Sequence, residues 1–249
     1  MHHFWHDLLF LHWEVPVDSL QRLLPHGLTV DTFDGRAYVG LVPFRISGIR
    51  HRNLAPIPGF SQFLEINVRT YVHKDGRDPG VWFFSLDAAN PFACAAARLW
   101  YKLPYFYAKM RQTTAGTTDR DESPITRYRS GRLWPAPIPA YARIDYRATG
   151  DAAPSEPGTI AHFFLERYLL YSQKGSRLFI GQVHHKPYLA QGAEIFRIDE
   201  NLIESANIAR PNTAPLVHFC RGVSVEVFSI HPATKELSVT NSGSVGLES

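Results

Sequence analysis

A chain of 249 residues, 45% apolar and 13% aromatic, has ample material for a sizeable core and lies within the range of one large β domain. Its formal net charge of +3 is too small to demand a polyanionic partner, and its two cysteines, Cys94 and Cys220, sit in apolar runs, which argues against a disulfide framework and for a reducing cytoplasm. No stretch approaches the ~18 uninterrupted apolar residues of a membrane span, and residues 1–13 carry no Lys or Arg, so they do not read as a signal peptide.

Eighteen prolines and 17 glycines, spread along the chain, predict many short elements separated by turns. Residues 8–15 read as a first strand. A short helix follows, with Asp18 as cap, Gln21 reaching back and Leu20, Leu23 and Leu24 on one face, until Pro25 and Gly27 end it. Residues 37–46 are apolar at every parity, as in a strand covered on both faces. Residues 50–61, with Pro56, Pro58 and Gly59, read as a loop. Over 62–73 the pattern alternates: Leu64, Ile66, Val68 and Val72 face one way, and Phe63, Glu65, Asn67, Arg69, Tyr71 and His73 the other. A turn over 75–80 makes a hairpin with a strand at 81–86. Asn90-Pro91 is a good cap and first turn for an alanine-rich helix to about Trp100. Strands are expected at 107–113, 126–133 and 142–148, a helix at 159–170, and strands at 177–184 and 217–228. Without repeat or linker, this is one β-rich α+β domain over 1–231, a barrel with a few outer helices, followed by a mobile tail over 232–249, where large apolar side chains are scarce.

The run from Ala97 to Phe106 resembles the active-site segment of the acetoacetate decarboxylases. There an arginine is followed six places later by a proline, and two lysines come next, one to form a Schiff base and one to depress its pKa. Here Arg98 and Pro104 keep the spacing, but Tyr105 and Phe106 stand in the lysine positions. A closer likeness is to the YqjF-like family, an uncharacterised branch of the acetoacetate decarboxylase-like superfamily. It is carried by Leu24-Pro-His-Gly-Leu28, Glu65-Ile-Asn-Val-Arg-Thr-Tyr-Val72, Leu103-Pro-Tyr105, Glu166-Arg-Tyr168, His185-Lys-Pro-Tyr188 and Arg221-Gly-Val-Ser-Val-Glu226. The resemblance implies a closed or partly closed β-barrel around a small-molecule cavity, and self-association.

Neither Tyr105 nor Phe106 can form an imine, so decarboxylase chemistry at its usual position is excluded. An ordinary lysine, with a pKa near ~10.4, would also be almost wholly protonated at pH 7. Lys102 is the one nearby amine: it either stands in, its pKa lowered by Trp100, Tyr101 and Leu103, or snorkels from a helix end. Glu65 is a candidate acid or base if its strand face lines the barrel, and one member of a solvated Glu–Arg pair if it does not; the resemblance favours the lining position. On the first reading Arg69 or Arg98 anchors a carboxylate through paired N–H donors, with Arg98 equally suited to an internal ion pair. Tyr105 either donates its phenol to a ligand or fills the space left by the lysine. Tyr101 is expected at the ligand, and His6 at the cavity mouth.

The histidines lack ligand spacing: His184 and His185 point to opposite faces of a strand, and no metal or other cofactor is expected. Arg127, Arg129 and Arg132 lack an accompanying recognition motif, and a solvated hairpin explains them better than nucleic acid does. The expectation is a cytoplasmic barrel that binds a small carboxylate- or carbonyl-bearing molecule. It is either a lyase, hydratase or isomerase using Glu65 and Tyr105, or a binding or sensing module without turnover.

Overall fold

The computed structural model describes residues 1–50, 62–116, 123–135 and 139–233. The loop expected at 50–61 and the tail beyond 233 therefore fall almost wholly outside the described residues. The chain runs β1 (His2–Val15), α1 (Val17–Gln21), β2 (Thr29–Val30), β3 (Ala37–Arg50), β4 (Phe63–Lys74), β5 (Arg77–Ala88), α2 (Pro91–Trp100), β6 (Tyr105–Ala115) and β7 (Ile125–Trp134). It continues with β8 (Tyr141–Pro154), α3 (Ile160–Leu165), β9 (Leu169–Lys174), β10 (Arg177–His185), β11 (Leu189–Glu200), α4 (Leu202–Ser205), β12 (Leu216–Val227) and β13 (His231–Pro232).

One sheet order explains the double-sided apolar run at 37–46. Strands β5-β6-β7-β8-β11-β12-β1-β3-β4 are neighbours in that order, and β4 pairs back onto β5, closing a ring. A second ring shares β12, β1, β3, β4 and β5 and is completed by β9, which pairs with β5, and β10, which pairs with β9 and β12. The shared strands are walls between two cores. Leu8, Phe10, Val42, Phe44 and Phe63 face one core, and Leu9, Leu11, Val39, Leu41, Ile66 and Val68 face the other. A wall buried on both faces needs apolar residues at both parities, as β1 and β3 have.

The hairpin turn is tighter than the sequence suggests. Asp75 and Gly76 take positive φ (52° and 73°) between paired Lys74 and Arg77, a two-residue turn that matches strand twist. The capping of α2 is as expected, Asn90 Oδ1 accepting from the amides of Phe92 and Ala93 at 3.1 Å each. In α1, Gln21 does not close a capping box: it bonds forward, to the Leu28 carbonyl and the Val30 amide, at 2.9 Å each.

Three expectations need correction. The helix expected over 159–170 stops at Leu165, because Leu169 and Leu170 are taken into β9, where Leu170 pairs with Val81 in a parallel ladder. Beyond the helix end, Glu166 accepts from the Tyr188 amide, and Arg167 bonds the Phe163 carbonyl and Asp31. Strand β11 was not foreseen at all. Its burial alternates only over 192–196, between register shifts at Ala190/Gly192 and Ile195/Arg197 that break the longer pattern, and it is held by long pairing with β8. Pro232, assigned to the tail, pairs with Phe179 in β13.

Candidate functional site

The ring that includes β9 and β10 encloses a cavity of about 260 Å³. Most of its wall is apolar, including Phe10, Val42, Phe44, Phe63, Val81, Phe83, Leu86 and Val183, with Ala93, Ala96, Ala97 and Trp100 of α2 along one side. Three of the polar exceptions lie on β4, where Glu65, Asn67 and Arg69 alternate into the cavity, and His3 and Arg167 are others. Trp100 is 66% exposed and also lines the cavity, so the opening lies at the end of α2.

Glu65 is only 2% exposed. Burial pushes its pKa up to about 8; the Tyr105 hydroxyl, donating to Oε2 at 2.9 Å, offsets part of that rise, and nearby Asp87 adds to it. At neutral pH this side chain is mainly a carboxylic acid, able to donate a proton as well as to accept one. The Tyr128 hydroxyl fixes the backbone beneath it by donating to the Glu65 carbonyl at 2.7 Å. Tyr105 itself is delivered by the β5–α2–β6 crossover, which sets β6 parallel to β5 with Tyr105 opposite Leu86.

Arg69 is the other centre of charge. One of its Nη2 bonds goes to the Tyr71 hydroxyl (3.2 Å) and another to the Phe164 carbonyl (3.0 Å), while its Nε is buried without a partner. Its guanidinium lies over Phe10, 5.4 Å from the ring centroid. Among the described residues it has no carboxylate partner, whereas Arg167, the other arginine on the cavity wall, is paired with Asp31 at 2.6 Å. Tyr71 also bonds His12 Nε2 at 2.6 Å, and the His12 ring stacks on Phe164 at 3.8 Å. Burial, then the charge on Arg69, hold His12 well below the usual histidine pKa, so it is a neutral brace. Asn67 Oδ1 is also buried without a partner.

Of the residues expected at the site, Glu65, Arg69, Tyr101 and Tyr105 line the cavity; Arg98, Lys102 and His6 do not. On α2 the cavity face is set by residues 93, 96, 97 and 100, which leaves Arg98 on the outside. Its Nη1 donates to the Tyr105 carbonyl at 2.6 Å, pinning the start of β6. Lys102 has φ 57° just past the helix, and its Nζ turns back to the Leu99 carbonyl at 2.7 Å, which is the helix-end alternative. Among the described residues no lysine lines the cavity. Phe106, in the second lysine position, stacks against Arg132, which forms a buried pair with Asp87 at 2.7 Å.

His6 is displaced by a bulge. Asp7 takes φ 52° and the β1–β3 register shifts between His6 and Leu11, so the inward residues are His3, Trp5, Leu8 and Phe10. His6 instead meets Ser47 Oγ at 2.6 Å. His3 and Trp5 were therefore missed, and strict alternation back from Phe10 would never reach them. Asn67 was legible, two residues from Glu65 on the same face.

The motif residues Glu166, Tyr168, His185 and Tyr188, far apart in sequence, meet beside the cavity. Tyr168 donates to Glu166, and the His185 ring lies 4.7 Å from Tyr168 and 4.5 Å from Tyr188. The arginines of the β7–β8 region are engaged with acids: Arg129 with Asp145, Arg143 with Asp199 and Arg147 with Glu194. No helix among the described residues is long and apolar enough to cross a membrane.

A model of the DUF2071 family, described as an uncharacterized conserved protein, matches residues 2–224. The uncharacterized protein YqjF of Bacillus subtilis (strain 168) is 37% identical over 218 residues, which cover 87% of this chain and 86% of the relative. The chain belongs to the DUF2071, YqjF-like family. Solved structures place this family member among acetoacetate decarboxylase-like folds. The enduracididine biosynthesis enzyme MppR, complexed with pyruvate, superposes with a TM-score of 0.62 at 14% identity, covering 93% of this chain and 89% of its own. An acetoacetate decarboxylase-like enzyme from Sphingomonas wittichii RW1 gives 0.61 at 12% identity, covering 93% and 91%. Acetoacetate decarboxylase from Legionella pneumophila gives 0.55 at 14%, covering 93% and 88%. At these identities the likeness is one of fold.

Proposed function

We propose that this YqjF-like protein binds a small carboxylate-bearing molecule in the β4-lined cavity, and that Glu65 and Tyr105 exchange a proton with an oxygen function of that molecule. The observation that carries the reading is Arg69, a cation on a mainly apolar wall with its Nε unpartnered and, among the described residues, no carboxylate paired with it. A half-buried guanidinium whose Nε is buried without a partner is costly to leave so, and an incoming carboxylate satisfies it through charge-assisted hydrogen bonds. Glu65 gives the acid–base half. As a carboxylic acid held by Tyr105 it can protonate a carbonyl or departing hydroxyl oxygen, and the carboxylate so formed can take the proton from the neighbouring carbon and return to the acid, which fits a lyase or hydratase type of step. Imine chemistry has no lysine to use among the described cavity residues.

Calorimetric titration with small carboxylates, with and without an oxo group, tests the binding half. Arg69→Gln should weaken binding at least tenfold, Arg69→Lys less, and Lys102→Ala not at all; equal affinity in wild type and a folded Arg69→Gln would sink the reading. Deuterium incorporation beside the oxo group in heavy water, followed by proton NMR, tests the second half and should vanish in Glu65→Gln. Binding without exchange in the wild type would select the module without turnover. That second reading is favoured by the mutual satisfaction of Glu65 and Tyr105.

A further inference from the structure

Resting on Arg69 as the anion anchor, we infer that the ligand is a hydroxy carboxylate, and that Asn67 selects it by accepting a hydrogen bond from the hydroxyl. Asn67 is only 4% exposed and lines the cavity, yet its Oδ1 is buried without a partner, and among the described residues its carboxamide makes no hydrogen bond. Protein interiors satisfy nearly all such groups, because leaving one unmet costs more than a hydrogen bond gains. The surroundings offer no substitute. Across the sheet Asn67 stands level with Val42 on β3 and Leu86 on β5, so a valine or leucine at this position would complete an apolar wall. Along its own face lie Glu65, held by the Tyr105 hydroxyl, and Arg69, whose Nη2 turns to the Tyr71 hydroxyl and the Phe164 carbonyl.

The Arg69 Nε–H, a donor without an acceptor, and the Asn67 Oδ1, an acceptor without a donor, thus occur one step apart on one strand face without bonding each other. A ligand that meets both accepts at one point and donates at the next. A carboxylate accepts from Arg69 but has no proton for Asn67, and an oxo oxygen likewise only accepts. A hydroxyl close to the carboxylate supplies the missing donor. Whichever way the amide is turned its oxygen can only accept, so the need for a donor does not depend on which of its two atoms faces the ligand. Alternate residues on a strand are roughly 6.7 Å apart, a separation that a carboxylate and a hydroxyl on the second or third carbon span once a hydrogen bond is added at each end. An ammonium also donates, but it would set a second positive charge beside the guanidinium. An aspartate at 67 would give Arg69 its counter-ion from within the chain; the neutral amide leaves that charge to the ligand.

The test is a set of NMR titrations of the full nitrogen-15-labelled chain with butanoate and hexanoate, each as the parent acid and as its 2-hydroxy, 3-hydroxy, 2-oxo and 2-amino derivatives. At each length a hydroxy acid should bind about tenfold more tightly than the parent and the oxo acid, and the amino acid more weakly than the parent. In Asn67→Leu the hydroxyl preference should disappear while the parent acids keep their affinity. Because that substitution removes no hydrogen bond from the ligand-free fold, its urea midpoint should not fall. Asn67→Asp should weaken every acid at least tenfold. Equal binding of hydroxy, parent and oxo acids, a hydroxyl preference that survives Asn67→Leu, a preference for the amino acids, or a lowered midpoint in ligand-free Asn67→Leu overturns the inference, and the anchor stands if Arg69→Gln still weakens the parent acids. Parent acids bound equally by wild type and a folded Arg69→Gln overturn the anchor itself. No binding by any acid overturns both.

Discussion

Glu65 and Tyr105 form a pair whose protonation each controls. Burial raises the Glu65 pKa and the Tyr105 hydroxyl restrains the rise, so removing that hydroxyl should raise it further, beyond about 8. Tyr105→Phe tests this with little change in shape: a carbon-13 NMR titration of labelled glutamate should show the Glu65 midpoint moving alkaline by about one unit or less. A midpoint moving acid would mean that water replaces the phenol as a better donor. The pair was only half legible in the sequence. Glu65 stood on a strand face that alternation identifies, but no local pattern says whether such a face looks into a cavity or into solvent. Arg98 and Lys102 misled for a related reason. The spacing of Arg98 to Pro104 is retained and Lys102 is the nearest amine, yet the helix face that meets the cavity is set by the alanines at 93, 96 and 97 and not by the arginine.

Elements follow local chemistry where capping and turn residues dictate it, and depart from it where neighbours compete. Helix α2 starts at Asn90 because one side-chain oxygen satisfies two amides, so Asn90→Ala should cost about 1 kcal/mol in chemical denaturation. Strand β5 meets β9 at Gly80, where an added Cβ would lie 2.8 Å from the Leu169 carbonyl oxygen. Gly80→Ala should therefore destabilise by about 1–3 kcal/mol, and a neutral result would mean that β9 can shift sideways without loss. That close contact also explains why the helix expected through residue 170 is cut short. Pairing with β5 claims Leu170 and pairing with β10 claims Leu169, and helical spacing in the sequence carries no information about a partner strand about ninety residues earlier. The bulge at Asp7 is the same kind of event in miniature, a single left-handed residue that exchanges which side of β1 faces the ligand.

At the scale of the molecule, the buried strand walls hold ionisable groups in uncharged forms, and those groups set how stability depends on pH. His3, His12, His185 and His218 all have their pKa lowered, chiefly by burial, His3 to about 4. Below about pH 6.5 the unfolded chain gains protons at these sites that the folded chain does not, so each stabilising contribution present above that pH is lost on acidification. Glu65 acts in the opposite sense. Its pKa rises from 4.5 to about 8 on folding, so across that window the folded chain keeps a proton the unfolded chain has released. Its contribution is fully present below pH 4.5 and is lost as pH rises through 8. The stability of wild type relative to Glu65→Gln should therefore fall between pH 5 and pH 8 by up to about 1.4 kcal/mol per pH unit, while its stability relative to His12→Gln should fall in the other direction, from pH 6.5 toward pH 5. Urea titrations of the three proteins across this range measure both differences. Parallel curves for wild type and Glu65→Gln would mean that Glu65 is ionised in the fold, and the cavity would then offer a carboxylate beside its ligand instead of a proton donor.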